Sequence, residues 1–150
     1  MVPAPETTPT HARDRQELAG LRVLLVEDNL VNRKLAKRIL EKLGCCVDVA
    51  ENGAEGVRMH ESASYDAVFM DCQMPVMDGY EATTRIRAVR AQAPADRHLP
   101  IIAVTANVLP GDRIRCMDSG MDDVIAKPVH ANDFATALAR WCGYGGLQLG

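Results

Sequence analysis

The sequence predicts an α/β fold, a five-stranded parallel sheet covered by helices on both faces. Three observations predict it. Apolar runs and amphipathic stretches alternate five times along a chain of 150 residues. The apolar runs are nearly continuous and rich in Val, Leu and Ile, as strands buried on both faces must be. Several amphipathic stretches carry start and stop residues of their own: Asp78 and Pro110 at starts, Gly44 and Gly120 at ends.

The elements follow in order. "LRVLLVED" is the first strand, and "NLVNRKLAKRILEKLG" a helix whose Val31, Leu35, Ile39 and Leu43 recur on a helical period and are expected to face the core. "CCVDVA" is the second strand, with Cys45 and Cys46 expected as small buried hydrophobes. "NGAEGVRMHESA" is the second helix and "YDAVFMD" the third strand. "DGYEATTRIRAVRA" is a helix capped by Asp78, and "LPIIAVTA" the fourth strand. "PGDRIRCMDSG" is the fourth helix, "DDVIAKP" the fifth strand and "HANDFATALARWCG" the fifth helix. The right-handed crossover rule leaves few topologies for five such units. The doubly wound, flavodoxin-like (βα)5 arrangement with strand order 2-1-3-4-5 is the natural one. Residues 1–20, Pro- and Thr-rich and then charged, read as a flexible leader or linker, 21–142 as the domain, and 143–150 as a tail.

Composition narrows the function. An apolar fraction of 47% and a charged fraction of 25% belong to a globular protein with one sizeable core. A net charge of -3 gives no general reason to expect nucleic-acid binding. No apolar run approaches the roughly 18 residues of a membrane span, and the N-terminus lacks the apolar core of a secretory signal. A cytoplasmic location is expected, either alone or as the cytoplasmic portion of a membrane-bound protein. Five cysteines without C-x-x-C spacing (Cys45, Cys46, Cys72, Cys116, Cys142) argue against a disulfide framework and against a zinc site. The histidines His11, His60, His98 and His130 show no ligand spacing and read as surface residues. Met70 reads as core, and Met74 and Met77 as loop packing.

In a doubly wound sheet, sites form outside the carboxyl ends of the strands. There the first strand carries Glu27 and Asp28, the third Asp71, the fourth Thr105, and the fifth Lys127 followed by Pro128. Carboxylates gathered so closely repel: at ~5 Å and an effective dielectric near 20, each pair costs about 3 kcal/mol. A hard divalent cation such as Mg²⁺ relieves this, being suited to a few carboxylates, a carbonyl, waters and a phosphate oxygen. An ammonium and a hydroxyl opposite it can neutralise the remaining phosphoryl oxygens. That is the equipment of phosphoryl transfer, with an aspartate as the nucleophile. Asp71, at the central strand end, is the candidate nucleophile, and Glu27 and Asp28 the candidate metal ligands. Taken singly, each residue has a structural excuse, Glu27–Asp28 as a helix cap or Asp71 as a turn residue. Their common placement at one sheet edge is what argues against the excuses.

The stretches "VLLVEDNLVNR", "MDCQMPVMDGYEAT", "VTANVLPGD" and "GMDDVIAKP" resemble the receiver domains of two-component response regulators, most closely those of hybrid histidine kinases. The resemblance spans Val23–Pro128, with the helical pattern to about Trp141 completing it. It implies that Asp71 accepts a phosphoryl group from a phosphohistidine on a histidine kinase or a histidine-containing phosphotransfer domain. It further implies that Mg²⁺ is held by Glu27, Asp28, Asp71 and the backbone carbonyl of Gln73. Thr105 and Lys127 stabilise the phosphoryl group, and Lys127–Pro128 is cis. Leu30, Pro128 and Val129 form an apolar docking patch for the donor domain. The domain is then a phosphoacceptor that assists its own phosphorylation and dephosphorylation, not a turnover enzyme, with Gln73 and Asn107 flanking the site and influencing hydrolysis.

One position departs from the family pattern. Where a Tyr or Phe usually stands three residues before the lysine, this chain has Val124, so the aromatic half of the usual switch is missing. Arg33, Lys34, Lys37 and Arg38 make the first helix basic, either as a solvated face or as a rim that steers an acidic partner. An aspartyl-phosphate phosphatase of the haloacid-dehalogenase type would need an acid two residues after the nucleophile, where Gln73 stands. A flavin or nucleotide domain would need a phosphate loop where "VEDNLVN" is acidic. A pseudo-receiver would be expected to have lost one of the five key residues. Only 23 residues follow Lys127, too few for an output domain, so the expectation is a stand-alone receiver or a piece of a hybrid kinase.

Overall fold

The structure is a computed structural model that describes residues 20–92 and 97–143; the leader, His11 and the tail from residue 144 lie outside the described residues. Among the described residues, five strands and five helices alternate: β1 (Arg22–Val26), α1 (Leu30–Lys42), β2 (Cys46–Ala50), α2 (Gly53–Ser62), β3 (Ala67–Asp71), α3 (Gly79–Gln92), β4 (Ile101–Thr105), α4 (Pro110–Ser119), β5 (Asp123–Ala126) and α5 (Ala131–Leu138). All pairings are parallel and the order is β2-β1-β3-β4-β5, as the sequence predicts. The register places Val26 beside Met70, Asp71 beside Val104, and Thr105 beside Ala126. The residues that follow Val26 and Ala126 therefore emerge level with Asp71 and Thr105. The acids, the hydroxyl and the ammonium share one edge for that reason.

Side-chain alternation along the central strands feeds two cores. Leu25, Phe69 and Val104 point to one face, where Leu40 of α1 and Phe134 and Leu138 of α5 cover them. Leu24, Val68, Met70 and Ile101 point to the other, against Ile86 of α3 and Cys116 of α4. The Phe69 and Phe134 rings meet edge to face with centroids 4.8 Å apart, which seats α5 on the middle of the sheet.

Local chemistry sets the boundaries. The side chain of Asn29 accepts the Asn32 amide at 2.9 Å and caps α1, and that of Asn52 accepts the Glu55 amide at 2.8 Å and caps α2. Asp78 accepts the Glu81 amide at 2.9 Å, the cap expected of it. Pro110 opens α4, and Gly120 closes it at φ 110°, a left-handed conformation that glycine adopts without a Cβ penalty.

Four expectations need correction. The apolar period of α1 is real, but its phase is not the expected one. Val31 is 72% exposed and Leu35 is also exposed, while the buried residues are Ala36 and Leu40, flanked by the partly buried Ile39 and Leu43. At 3.6 residues per turn, each i,i+4 step advances about 40° around the helix, so a stripe drawn from Val31 drifts well away from its start by Leu43. Cys45 is buried but Cys46 is exposed, because β2 is an edge strand whose start is uncovered. His60 is buried rather than on the surface, and its Nδ1 has no hydrogen-bond partner among the described residues. The fifth helix stops being α-helical at Leu138 and continues as a π-helical turn, Ala139–Gly143. That turn is tied down by Asp123, which accepts from Arg140 Nη1 at 2.7 Å and Trp141 Nε1 at 3.0 Å.

Candidate functional site

The β1–α1 loop delivers two of the acids. Since Asn29 caps α1, Glu27 and Asp28 are not serving as its helix cap. Glu27 is buried and Asp28 exposed, and one oxygen from each lies within 4.8 Å of the other and of an Asp71 carboxylate oxygen. Asp71 ends the fully buried strand β3 and is itself only 4% exposed. Its Oδ1 accepts the Gln73 amide at 3.2 Å and its Oδ2 faces Lys127 Nζ at 3.4 Å. The same ammonium lies 3.3 Å from Glu27 Oε1, so Lys127 bridges two buried acids. Thr105 is buried beside them, and its Oγ1 accepts the Asn107 amide at 3.0 Å.

The electrostatics follow from this crowding. Burial, then the neighbouring Glu27 carboxylate, pushes the Asp71 carboxyl well above the usual range, with Lys127 and the Gln73 amide pulling the other way. Burial alone would lower the Lys127 ammonium. The Asp71 and Glu27 charges outweigh it and hold the lysine above its ordinary value. One ammonium against three converging carboxylates leaves a deficit of positive charge, and the donor set is all oxygen. Hard divalent cations prefer such sets, so the residues present fit Mg²⁺.

The loop after Asp71 is shaped by close approach. Gly79 donates its amide to the Cys72 carbonyl at 3.0 Å, and a Cβ at Gly79 would run into the Asp71 carbonyl oxygen. Pro75 lies in the same loop, and its carbonyl accepts the Met77 amide at 2.8 Å. The Lys127–Pro128 peptide bond is cis, as the resemblance implies. Val124 pairs with Ala103, is partly buried, and packs against the α3–α4 core.

Beside the acids, Leu30 is exposed, and Pro128 and Val129 line an apolar crevice of about 70 Å³ with Leu35, Val104 and Phe134. Exposed apolar side chains continue from Leu30 along α1 through Val31 and Leu35. Sequence reading missed those two because it assigned them to the core. It also missed Arg33, taken as part of a basic exterior face. A roomier cleft of about 600 Å³, lined by His60, Tyr65, Arg90 and Arg97 among others, lies toward the opposite ends of the strands and contains none of the predicted site residues. Its two arginines are already engaged, Arg90 with the Arg97 carbonyl and Arg97 with Asp66.

Comparison with known proteins agrees with this geometry. Residues 23–139 match the family model described as the response regulator receiver domain. Hybrid signal transduction histidine kinase B of Dictyostelium discoideum is 42% identical over 126 residues, which are 79% of this chain but 6% of that kinase. Two-component system protein A of Emericella nidulans is 44% identical over 124 residues, 81% of this chain and 17% of that protein. The chain therefore spans a small part of the curated relatives it matches. Among solved structures, the receiver domain of sensor histidine kinase PA1611 from Pseudomonas aeruginosa, with a magnesium ion coordinated in its active-site cleft, is 46% identical. The TM-score is 0.72, over 82% of this chain and 98% of that one. A chain of the co-crystal structure of the Saccharomyces cerevisiae histidine phosphotransfer signaling protein Ypd1 with the receiver domain of the response regulator Ssk1 superposes with TM-score 0.76 at 30% identity, over 83% of this chain and 90% of that one. With its strand order, its edge of acids and its sequence all matching, the chain belongs to the response regulator receiver domains of two-component signalling.

Proposed function

We propose that Asp71 is the phosphoacceptor of this signalling domain, receiving a phosphoryl group from a phosphohistidine on a histidine kinase or a histidine-containing phosphotransfer domain. One observation carries the assignment. Asp71 is the buried carboxylate at the centre of the sheet edge, held between the Gln73 amide and Lys127 and converging with Glu27 and Asp28. Each of the other acids lies in the first loop, whereas Asp71 ends the central strand. The domain comprises residues 21–142. Glu27, Asp28, Asp71 and the Gln73 carbonyl are the residues that would hold Mg²⁺, which when bound offsets negative charge on the acids and on the phosphoryl oxygens. The Asp71 oxygen attacks phosphorus while the bond to the histidine nitrogen breaks, and the imidazole leaves with the bonding pair. Lys127 neutralises one phosphoryl oxygen and the Thr105 hydroxyl donates to another. These groups are worth most where they are already fixed before charge develops. The same site admits water for hydrolysis of the acyl phosphate, with Gln73 and Asn107 at its margin.

The exposed apolar stretch Leu30, Val31 and Leu35, continuous with Pro128 and Val129, is the docking surface for the donor domain. The histidine phosphotransfer protein in the Ypd1–Ssk1 receiver complex supports a partner of this kind. Incubation with Mg²⁺ and acetyl phosphate, read by intact mass, tests the chemistry. One added phosphoryl unit is expected, absent in Asp71→Asn and absent without Mg²⁺. No adduct on the parent protein, together with failure to bind beryllofluoride, would overturn the assignment.

A further inference from the structure

Arg33 lies in the first turn of α1, six residues after Glu27 and five after Asp28, in a run that reads as a basic surface. The structure places it elsewhere. Its side chain is only 14% exposed, and Nη1 donates to two successive backbone carbonyls, Glu27 at 3.1 Å and Asp28 at 3.3 Å. Nη2 lies 3.9 Å from Glu51 Oε2, just beyond the end of β2. No other described side chain donates to the Glu27 or Asp28 carbonyl. Two further bonds complete the loop: Glu27 Oε2 accepts the Asn29 amide at 3.1 Å, and the Arg33 amide donates to the Asn29 carbonyl at 2.8 Å. The planar guanidinium has several donors in a fixed fork, so one side chain can hold two carbonyls where an ammonium holds its partners loosely.

We infer that Arg33 is a positioning residue for the metal-binding acids: it clamps the backbone from which the Glu27 and Asp28 carboxylates project toward Asp71. This rests on the reading of the acid cluster as the Mg²⁺ site. Arg33 touches neither the acceptor oxygen nor, among the described contacts, any of the three carboxylates. Its effect is therefore on where the ligands stand. Without the clamp, the loop must be ordered when the cation binds, and affinity falls by the cost of that ordering.

The direction of the effect separates this role from its rivals. If Arg33 acted only as a nearby positive charge, removing it would tighten Mg²⁺ binding. If it only stabilised the fold, removal would lower the melting temperature and leave the affinity unchanged. A clamp predicts weaker binding. Calorimetric Mg²⁺ titration of the parent chain, Arg33→Ala and Arg33→Lys is the test, with melting curves recorded alongside. Arg33→Ala is expected to weaken Mg²⁺ binding about fivefold or more, and Arg33→Lys, which keeps the charge and can reach one carbonyl, by an intermediate factor. At saturating Mg²⁺, phosphorylation by acetyl phosphate is expected to return toward the parent rate. An affinity unchanged within about twofold, or a tighter one, in either folded variant overturns the inference. Should Arg33→Ala not fold, Arg33→Lys alone decides. Failure of the phosphoacceptor assignment is seen separately, as a parent protein that binds Mg²⁺ yet gains no phosphoryl unit.

Discussion

At the scale of single residues, the proposed function gives Lys127 two tasks of opposite sign. Its ammonium sits 3.3 Å from Glu27 and 3.4 Å from Asp71, where it compensates buried negative charge. It also occupies the electrostatic niche that draws a cation. Removing it leaves the acids facing one another, which favours a divalent ion more strongly, but it strips the phosphoryl group of a partner. Lys127→Met is therefore expected to bind Mg²⁺ roughly threefold more tightly than the parent, by relief of cation–cation repulsion. Its phosphorylation by acetyl phosphate should slow by about tenfold or more, the loss of a preorganised charge. Calorimetry and time-resolved intact mass read the two effects. Unchanged phosphorylation would remove Lys127 from the reaction. Residue identities at strand ends made this chemistry legible in the sequence, because chemistry-bearing side chains at successive strand termini converge whenever the sheet is parallel. What could not be read were contacts made by reach. Arg33 spans from a helix to backbone carbonyls of the preceding loop, and nothing in the spacing of basic residues distinguishes that from a solvated charge.

At the scale of elements, α1 shows where pattern reading succeeds and where it stops. Periodicity identified the helix but could not fix its rotation, because the stripe at 31, 35, 39 and 43 slides from the exposed side to the buried side along its length. The structure splits the stripe in two, with Ile39 and Leu43 joining Ala36 and Leu40 against the sheet, and Val31 and Leu35 left exposed on the face proposed to dock the donor domain. The split predicts opposite mutational profiles. Leu40→Ala should lower stability by about 2–5 kcal/mol through cavity formation, seen as a shifted denaturant midpoint. Val31→Ser should change stability by no more than about 0.5 kcal/mol. It should, however, slow transfer from a phosphorylated histidine-containing phosphotransfer domain while leaving acetyl phosphate reactivity intact. Slowing of both reactions would move Val31 from docking to chemistry. The fifth helix repeats the lesson. Its sequence is helical to Gly143, yet its winding changes at Leu138, where Arg140 and Trp141 both reach Asp123 on the neighbouring strand. A tertiary contact overrides local propensity there, and no local pattern announces it.

At the scale of the whole molecule, stability responds to pH through groups that face one another across elements. His60 ends up buried near the C-terminus of α2, and its imidazole is held below its ordinary range, first by burial and then by the charge of Arg90 on α3, with Arg87 adding to it and Glu61 opposing. The folded chain thus prefers the neutral ring. Its contribution to stability is complete above the unfolded value of about 6.5 and is lost as pH falls through that value toward the lower folded one. Asp71 works the other way. Held above the usual carboxylate range, it keeps a proton in the folded state that the unfolded chain releases, so in the absence of a cation stability decreases as pH rises across an overlapping interval. The slope of the parent protein alone therefore mixes two terms of opposite sign. The difference between the parent and His60→Phe isolates one of them. Melting temperatures recorded without Mg²⁺ at pH 8 and at pH 5.5 are expected to show the parent losing stability relative to the variant on acidification, because only the parent must charge a buried imidazole or break open to do so. A parent and variant that keep the same separation at both pH values would mean that His60 protonates as readily in the folded chain as in the unfolded one. The burial of its ring would then carry no electrostatic cost.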